Sequence, residues 1–262
     1  HAGAYVEGYA LFAGGADGQR TVDIVDSVDA YSASLTRTAA ATLSGERVWM
    51  GAASLEGRAF FAGGASSNMN SDNKCANVEV YNSNLTRPEA TNLSVARYYP
   101  LTATIGSRVL FAGGTGNTIT KVVDVYSTSL TRTAAADLSR PTSGDASTVV
   151  GNYAIFTSDG NTSCDVYNAS LTKTTVTLLS VARVNMSAGT VGDYALFAGG
   201  GTNSPYSDVV DACDTSLTRT TVTTLDYPRS GLSSATVGDY LLFAGGRIDS
   251  ENYSSDVFVY TA

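Results

Sequence analysis

The chain is written in short apolar runs of four or five residues, separated by clusters of Gly, Asn, Ser and Thr. Nowhere do apolar residues recur at the spacing of a helix face. The runs are β-branched or aromatic and are closed by turn residues, which is the pattern of short strands. The stretch from 102 to 138 shows the arrangement most clearly. Residues 102–105 are small or β-branched, and Gly106-Ser107 reads as a tight turn. Residues 108–112 form an apolar run closed by Gly113-Gly114. Residues 122–126 are β-branched with an aromatic end. After a turn at Ser127-Thr128-Ser129, residues 131–138 read as a more polar strand. Four short antiparallel strands are expected from such a stretch.

The same stretch returns along the whole chain. Leu11-Phe12-Ala13-Gly14-Gly15 is followed by Phe60-Phe61-Ala62-Gly63-Gly64 and Leu110-Phe111-Ala112-Gly113-Gly114. Leu196-Phe197-Ala198-Gly199-Gly200 and Leu242-Phe243-Ala244-Gly245-Gly246 come later. A degraded copy, Ile155-Phe156-Thr157-Ser158-Asp159-Gly160, lies between them. With Phe at 12, 61, 111, 156, 197 and 243, the steps are 49, 50, 45, 41 and 46 residues. Val-x-x-Tyr keeps the same phase at Val28–Tyr31, Val78–Tyr81, Val123–Tyr126 and Val257–Tyr260, with altered copies ending at Tyr167 and Cys213. Ser-Leu-Thr-Arg follows it, ending at Arg37, Arg132 and Arg219, with near copies at Arg87 and Lys173. A Leu-Ser-x-x-Arg segment then leads into the next unit, as at Leu93–Arg97 and Leu179–Arg183. A four-stranded unit of roughly 45 residues is the sequence signature of a propeller blade. The predicted fold is therefore all-β, a six-bladed β-propeller with blades over 1–44, 45–94, 95–139, 140–180, 181–226 and 227–262.

An apolar strand ending in Gly-Gly, a Tyr one loop and one strand later, and an Arg before the next unit resemble Kelch repeats, and the resemblance runs through the whole chain. That family usually carries a Trp after the Tyr. Here Thr131-Arg132-Thr133 and its equivalents stand in that place, and the single Trp, Trp49, lies elsewhere. The fourth unit has Thr142 where Arg97 stands in the third, and it lacks the diglycine. The nearly verbatim copies also resemble Kelch arrays of bacterial surface and phage proteins, which implies an extracellular, cell-surface or virion setting.

The same resemblance implies enzymes, and composition removes several of them. Galactose oxidase-like propellers hold copper with tyrosines and two histidines, whereas the one His of this chain is His1. Ser–His–Asp and Cys–His chemistry fail for the same reason. Cys75, Cys164 and Cys213 are scattered, so neither a zinc set nor a disulfide framework is expected. No metal and no cofactor is predicted. Asp23, Asp26 and Asp29, like Asp208, Asp211 and Asp214, are spaced in threes along extended chain, so they alternate faces and read as solvated charge. The net charge of −8 opposes nucleic-acid binding. No run of eighteen apolar residues is present for membrane insertion.

What remains is binding. The segments between the second and third strands of each unit, at 16–24, 65–77, 115–121, 161–163, 201–208 and 247–255, vary in length and side chains while the strands hardly change. A rigid scaffold with varied loops is how binding surfaces are built. Arg47, Arg97, Arg183 and Arg229 stand at the joints between units, where they either meet a ligand or tie neighbouring blades. The Kelch resemblance implies that the residue two past each Arg faces the ligand-binding mouth: Trp49, Tyr99, Gly144, Asn185 and Gly231. The expected protein is a non-enzymatic module that recognises a protein or a glycan. The alternatives are a structural or host-recognition part of a larger assembly and a sugar-isomerising Kelch-type enzyme. Residues 4–6 align with 235–237, so units one to six supply twenty-three strands and the sixth blade lacks its outer one. Flanking domains of a longer protein, or a partner chain, are expected to cover that edge.

Overall fold

A computed structural model describes residues 1–16, 24–66, 73–201 and 205–262. Within these, each repeat folds as one antiparallel meander sheet, and the six sheets are the blades of a six-bladed β-propeller fold. The chain forms two compact units, His1–Ser143 and Gly144–Ala262, with three blades in each.

In the first unit, blade one consists of β1 (Ala2–Val6), β2 (Tyr9–Ala13), β3 (Val28–Ser32) and β4 (Arg37–Ala39). Blade two has β5 (Gly51–Leu55), β6 (Arg58–Ala62) and β7 (Val78–Tyr81). Blade three has β8 (Leu101–Ile105), β9 (Arg108–Ala112), β10 (Val123–Tyr126) and β11 (Arg132–Ala134). In the second unit, blade four comprises β12 (Ser147–Val150), β13 (Tyr153–Phe156), β14 (Ser163–Asn168) and β15 (Lys173–Thr177). Blade five comprises β16 (Ser187–Val191), β17 (Tyr194–Ala198), β18 (Val210–Asp214) and β19 (Arg219–Thr221), and blade six β20 (Ser233–Val237), β21 (Tyr240–Ala244) and β22 (Val257–Thr261).

The sixth blade has three strands, as the repeat phasing predicts. The second also has three, against the expected four, so the described residues hold twenty-two strands rather than twenty-three. The reason lies at Pro88, beside Arg87 where the outer strand of other blades begins. Proline has no N–H to donate to the ladder.

Packing follows strand position. The Phe of each second strand meets the Tyr of the third edge to face, as in Phe61–Tyr81 and Phe111–Tyr126, both with centroids 5.8 Å apart. Edge-to-face geometry suits the ring quadrupoles. In blade five Cys213 takes the Tyr place and is buried with Phe197 and Cys164. Both thiols are pushed up to about 12, by burial first. Inner strands are rich in Thr, Ser and Ala because hydroxyls cross between neighbouring blades. Thr102 and Thr104 donate to the carbonyls of Ala52 and Ser54, both at 2.9 Å. Ser234 and Thr236 donate likewise to Ala188 and Thr190.

The diglycines are backbone seats. Gly64 N–H donates to the Arg97 carbonyl at 2.9 Å, and Gly200 N–H to the Arg229 carbonyl at 2.8 Å. A Cβ on Gly63 would run into that same Arg97 oxygen, and Gly63 and Gly64 have φ of 70° and 100°. Only glycine accepts both the close approach and the angle without strain.

Candidate functional site

Within each compact unit, the joints between blades are built around an arginine, whereas Thr142 holds the equivalent place before blade four. The N–H of Arg97 donates to the Cys75 carbonyl in blade two, while its guanidinium reaches Asp124 of β10 at 2.9 Å and the Phe111 carbonyl at 3.0 Å in blade three. Arg132 of β11 takes the other Asp124 oxygen at 3.1 Å. Arg47–Glu79–Arg87 and Arg183–Asp211–Arg219 repeat the arrangement. Arg229 pairs with Asp256 at 3.3 Å and lies 4.6 Å from the centroid of Phe258. Burial would raise the Glu79 carboxyl, but hydrogen bonds from Ser44 and the charge of Arg47 pull it below the usual range.

The four candidate arginines are therefore buried, each in an ion pair that joins one blade to the next. Charge-assisted hydrogen bonds to carbonyls and carboxylate satisfy most of the guanidinium. Asp26 and Asp29 do not converge on a cation site. Asp29 is paired with Arg37 at 2.6 Å, and Asp23 lies outside the described residues. Asp211, expected to be solvated, is fully buried, and Asp214 accepts the backbone N–H groups of Ser216 and Thr218 in the next turn. The signal was present in the sequence. The acid of the third strand in each of the first five blades is followed eight residues later by a cation, in Asp29/Arg37, Glu79/Arg87, Asp124/Arg132, Asp165/Lys173 and Asp211/Arg219.

Two residues beyond each joint arginine the backbone turns left-handed. Trp49, Tyr99 and Asn185 have φ of 59°, 52° and 54°, and Gly144 and Gly231 at the equivalent positions have 69° and 68°. The turns are linked: Tyr99 N–H donates to the Trp49 carbonyl at 2.9 Å, and Gly231 N–H to the Asn185 carbonyl at 3.0 Å. A positive φ is strained for an aromatic residue and natural for glycine.

In the first unit these turns gather three aromatics. Trp49 lies with its ring centroid 5.5 Å from Tyr98 and 5.1 Å from Tyr99. Beneath them Ile24, Val48 and Ala65 form a small buried cluster. Tyr99 remains 40% exposed, and its hydroxyl is pushed up to about 12, mainly by burial.

In the second unit the joints and the loops between second and third strands enclose a cavity of about 320 Å³. Asn185, Tyr206, Gly231, Arg247 and Tyr253 line it. The Arg247 guanidinium lies 5.7 Å from the Tyr253 ring centroid and donates to the Ser250 carbonyl. Sequence reasoning named Asn185 and the 247–255 loop but did not single out Arg247 or Tyr253 within it, because the side chains of that loop change from repeat to repeat. Near the backbone N–H of Asn185 lies Asp145, where other joints carry Met50, Pro100, Met186 or Leu232. Its carboxyl oxygens are buried, with neither in hydrogen-bond geometry with a partner. Burial, then the charge of Asp159, push its pKa up to about 7, and the nearby N–H of Asn185 offsets only part of that.

No protein-family model matches the chain, and no curated protein matches it. Its fold is similar to that of a solved structure titled "Structure of YjhT", with a TM-score of 0.72 and 14% identity over 99% of this chain and 94% of that chain.

Proposed function

We propose that the protein is a Kelch-type propeller acting as a non-enzymatic binding module, with a glycan or a protein as ligand. The ligand meets the joints after each arginine and the loops between second and third strands. The observation that carries this reading is the backbone at Trp49 and Tyr99. Two aromatic residues hold a strained conformation that glycine holds at equivalent joints, and strain of this kind clusters at ligand clamps. The cavity beside Arg247 and Tyr253 is at the small end of small-molecule sites, roughly 300–1,000 Å³, a size that suits sugar rings. Screening the chain against immobilised glycans and peptides, followed by calorimetric titration of the hits, tests the reading. Binding that weakens in Arg247→Ala and Tyr253→Ala supports it. Hits whose affinity ignores both loops and the Trp49 cluster would remove it.

Asp145 supports a second reading, an enzyme acting on a sugar. A carboxyl with a pKa near neutrality can take and return a proton at physiological pH. Turnover of a bound sugar that disappears in Asp145→Asn, with affinity retained, would favour this reading over a purely binding role.

A further inference from the structure

We propose that Asp159–Gly160 is a site of spontaneous covalent modification, at which the folded chain converts aspartate to isoaspartate through a cyclic imide. The inference does not depend on the binding reading above.

The repeat shows why this stretch of backbone is free. Asp159 stands at the place of the second glycine of the diglycine, and Gly160 at the place of the residue after it. Elsewhere both places are pinned. In blades one, two, three and five the second glycine donates its N–H to a joint carbonyl, from Gly15 to Arg47, Gly64 to Arg97, Gly114 to Thr142 and Gly200 to Arg229. The next N–H also has an acceptor: Ala65 donates to Val48 at 2.9 Å, Thr115 to Tyr98 at 2.8 Å and Arg247 to Ser230 at 2.8 Å. In blade four neither N–H has a hydrogen-bond acceptor among the described residues, and the Asp159 carboxyl accepts no hydrogen bond there. Both residues are exposed, and a Cβ added at Gly160 would meet nothing within 4 Å. The bond that closes the turn around them runs from Asn161 N–H to the Ser158 carbonyl at 2.9 Å. Gly160 has φ of 59°, and without a Cβ it leaves its nitrogen open to attack and its peptide plane free to rotate.

The chemistry needs no oxidant and no co-reactant other than water. The Gly160 nitrogen attacks Cγ of the protonated Asp159 carboxyl. An N–Cγ bond forms, the Cγ–OH bond breaks, and the hydroxyl leaves with the amide proton as water. Water then opens the imide. Addition at Cγ restores aspartate, whereas addition at the α-carbonyl carbon leaves a main chain that runs through Cγ. Isoaspartate thereby adds one carbon to the backbone between Ser158 and Asn161, and it moves the charge that acts on the buried Asp145 carboxyl. Asp26, Asn82 and Asp249 also precede a small residue, but that residue is Ser, whose Cβ crowds the attacking nitrogen. Asn82 is further held by the N–H groups of Asn84 and Thr86, and Asp249 by those of Glu251 and Asn252.

The test ages the whole 262-residue chain in mildly acidic buffer beside a synthetic peptide of residues 156–163, Phe-Thr-Ser-Asp-Gly-Asn-Thr-Ser. Isoaspartyl methyltransferase labelling counts the product, and peptide mapping by mass spectrometry places it. Expected is conversion at residue 159 of the folded chain within about tenfold of the peptide rate, a barrier difference of no more than roughly 1.4 kcal/mol. It should run ahead of Asp26, Asn82 and Asp249. Asp159→Glu keeps the charge but would need a six-membered ring, and should abolish the product there. Gly160→Ala should slow conversion about tenfold. Unfolding midpoints show whether each variant folds, and peptides with the same substitutions keep the chemistry readable if one does not. An unmodified residue 159 in the folded chain once the peptide has converted would overturn the proposal. So would product confined to Asp17–Gly18, outside the described residues, or conversion no faster than at Asn82 and Asp249.

Discussion

Nine non-glycine residues with positive φ are found among the described residues, and most repeat with the period of the blades. Five are the leucines of the Ser-Leu-Thr-Arg turns or their variants, held by side chains such as Asn82 and Asp214 that accept backbone N–H groups two and four residues on. Trp49 and Tyr99 are of another kind, because their repeat position accepts glycine. Trp49→Gly and Tyr99→Gly each relieve about 1 kcal/mol of backbone strain while losing ring contacts of similar size. Their unfolding free energies should stay within about 1 kcal/mol of the parent, whereas Trp49→Ala keeps the strain, loses the contacts and falls by roughly 1–2 kcal/mol. Equal losses for Gly and Ala in denaturant titrations would show that the rings serve packing instead. Asp145 gives a pH signature. Its folded pKa lies above the unfolded value, so its ionisation opposes folding. The penalty is absent below the unfolded pKa, near 4, grows as pH rises toward 7, and is complete above it, with a ceiling on the order of 4 kcal/mol. Asp145→Asn should therefore flatten the stability profile between about pH 4 and 7 and raise stability at pH 8. A parent profile rising across that range, unchanged by the substitution, contradicts the assignment. The neighbours of Asp145 were invisible in sequence. An Asp among small residues looks solvated until the fold buries its carboxyl oxygens near Asp159 and the Asn185 backbone.

At the scale of the element, the blades are joined by their arginines as much as by apolar packing. Arg97 and Asp124 are both fully buried. Removing either leaves an uncompensated charge, so Arg97→Ala and Asp124→Ala should each cost roughly 3–5 kcal/mol. Arg132 is a third exposed, and Arg132→Ala should cost at most about 1 kcal/mol. Similar losses for Arg97→Ala and Arg132→Ala in equilibrium unfolding would refute this ranking. The strands themselves were legible because period, apolar run and turn chemistry agree. β13 spans Tyr153–Phe156, the stretch read as the pairing strand of the drifted fourth blade, and β9 spans the predicted 108–112. Outer strands were overread. The segment expected over 131–138 is regular strand only over Arg132–Ala134, with Ala135 and Leu138 N–H groups still donating to the Val123 and Lys121 carbonyls, and Pro88 leaves blade two without an outer strand, since polar edge segments have few packing contacts to extend them. The arginine–carboxylate pairing went unread because it couples the end of one repeat to the middle of the next, outside the window in which local patterns are judged.

For the molecule as a whole, the ligand chemistry available is that of aromatics, amides, arginines and carboxylates. Among the described residues no three His, Cys, Asp or Glu side chains gather as a metal set. Adding EDTA or Cu(II) should leave the unfolding midpoint and ligand affinity unchanged, and a chelator-sensitive transition would contradict that expectation. The scaffold could be read from repetition alone, whereas the loops proposed to carry the binding chemistry differ between repeats and follow no pattern. This is why Trp49, Tyr99 and Asn185 could be nominated from their repeat position and Arg247 and Tyr253 could not. The central claim, binding through joints and loops on an intact scaffold, is tested most directly by one variant carrying Trp49→Gly, Tyr99→Gly, Arg247→Ala and Tyr253→Ala. Its affinity for glycan or peptide hits of the parent chain is measured by calorimetry beside its unfolding midpoint. Loss of roughly 1–3 kcal/mol of binding energy per anchor engaged, with the midpoint nearly unchanged, is the predicted result. Full affinity in the folded variant would place the ligand elsewhere and contradict the account.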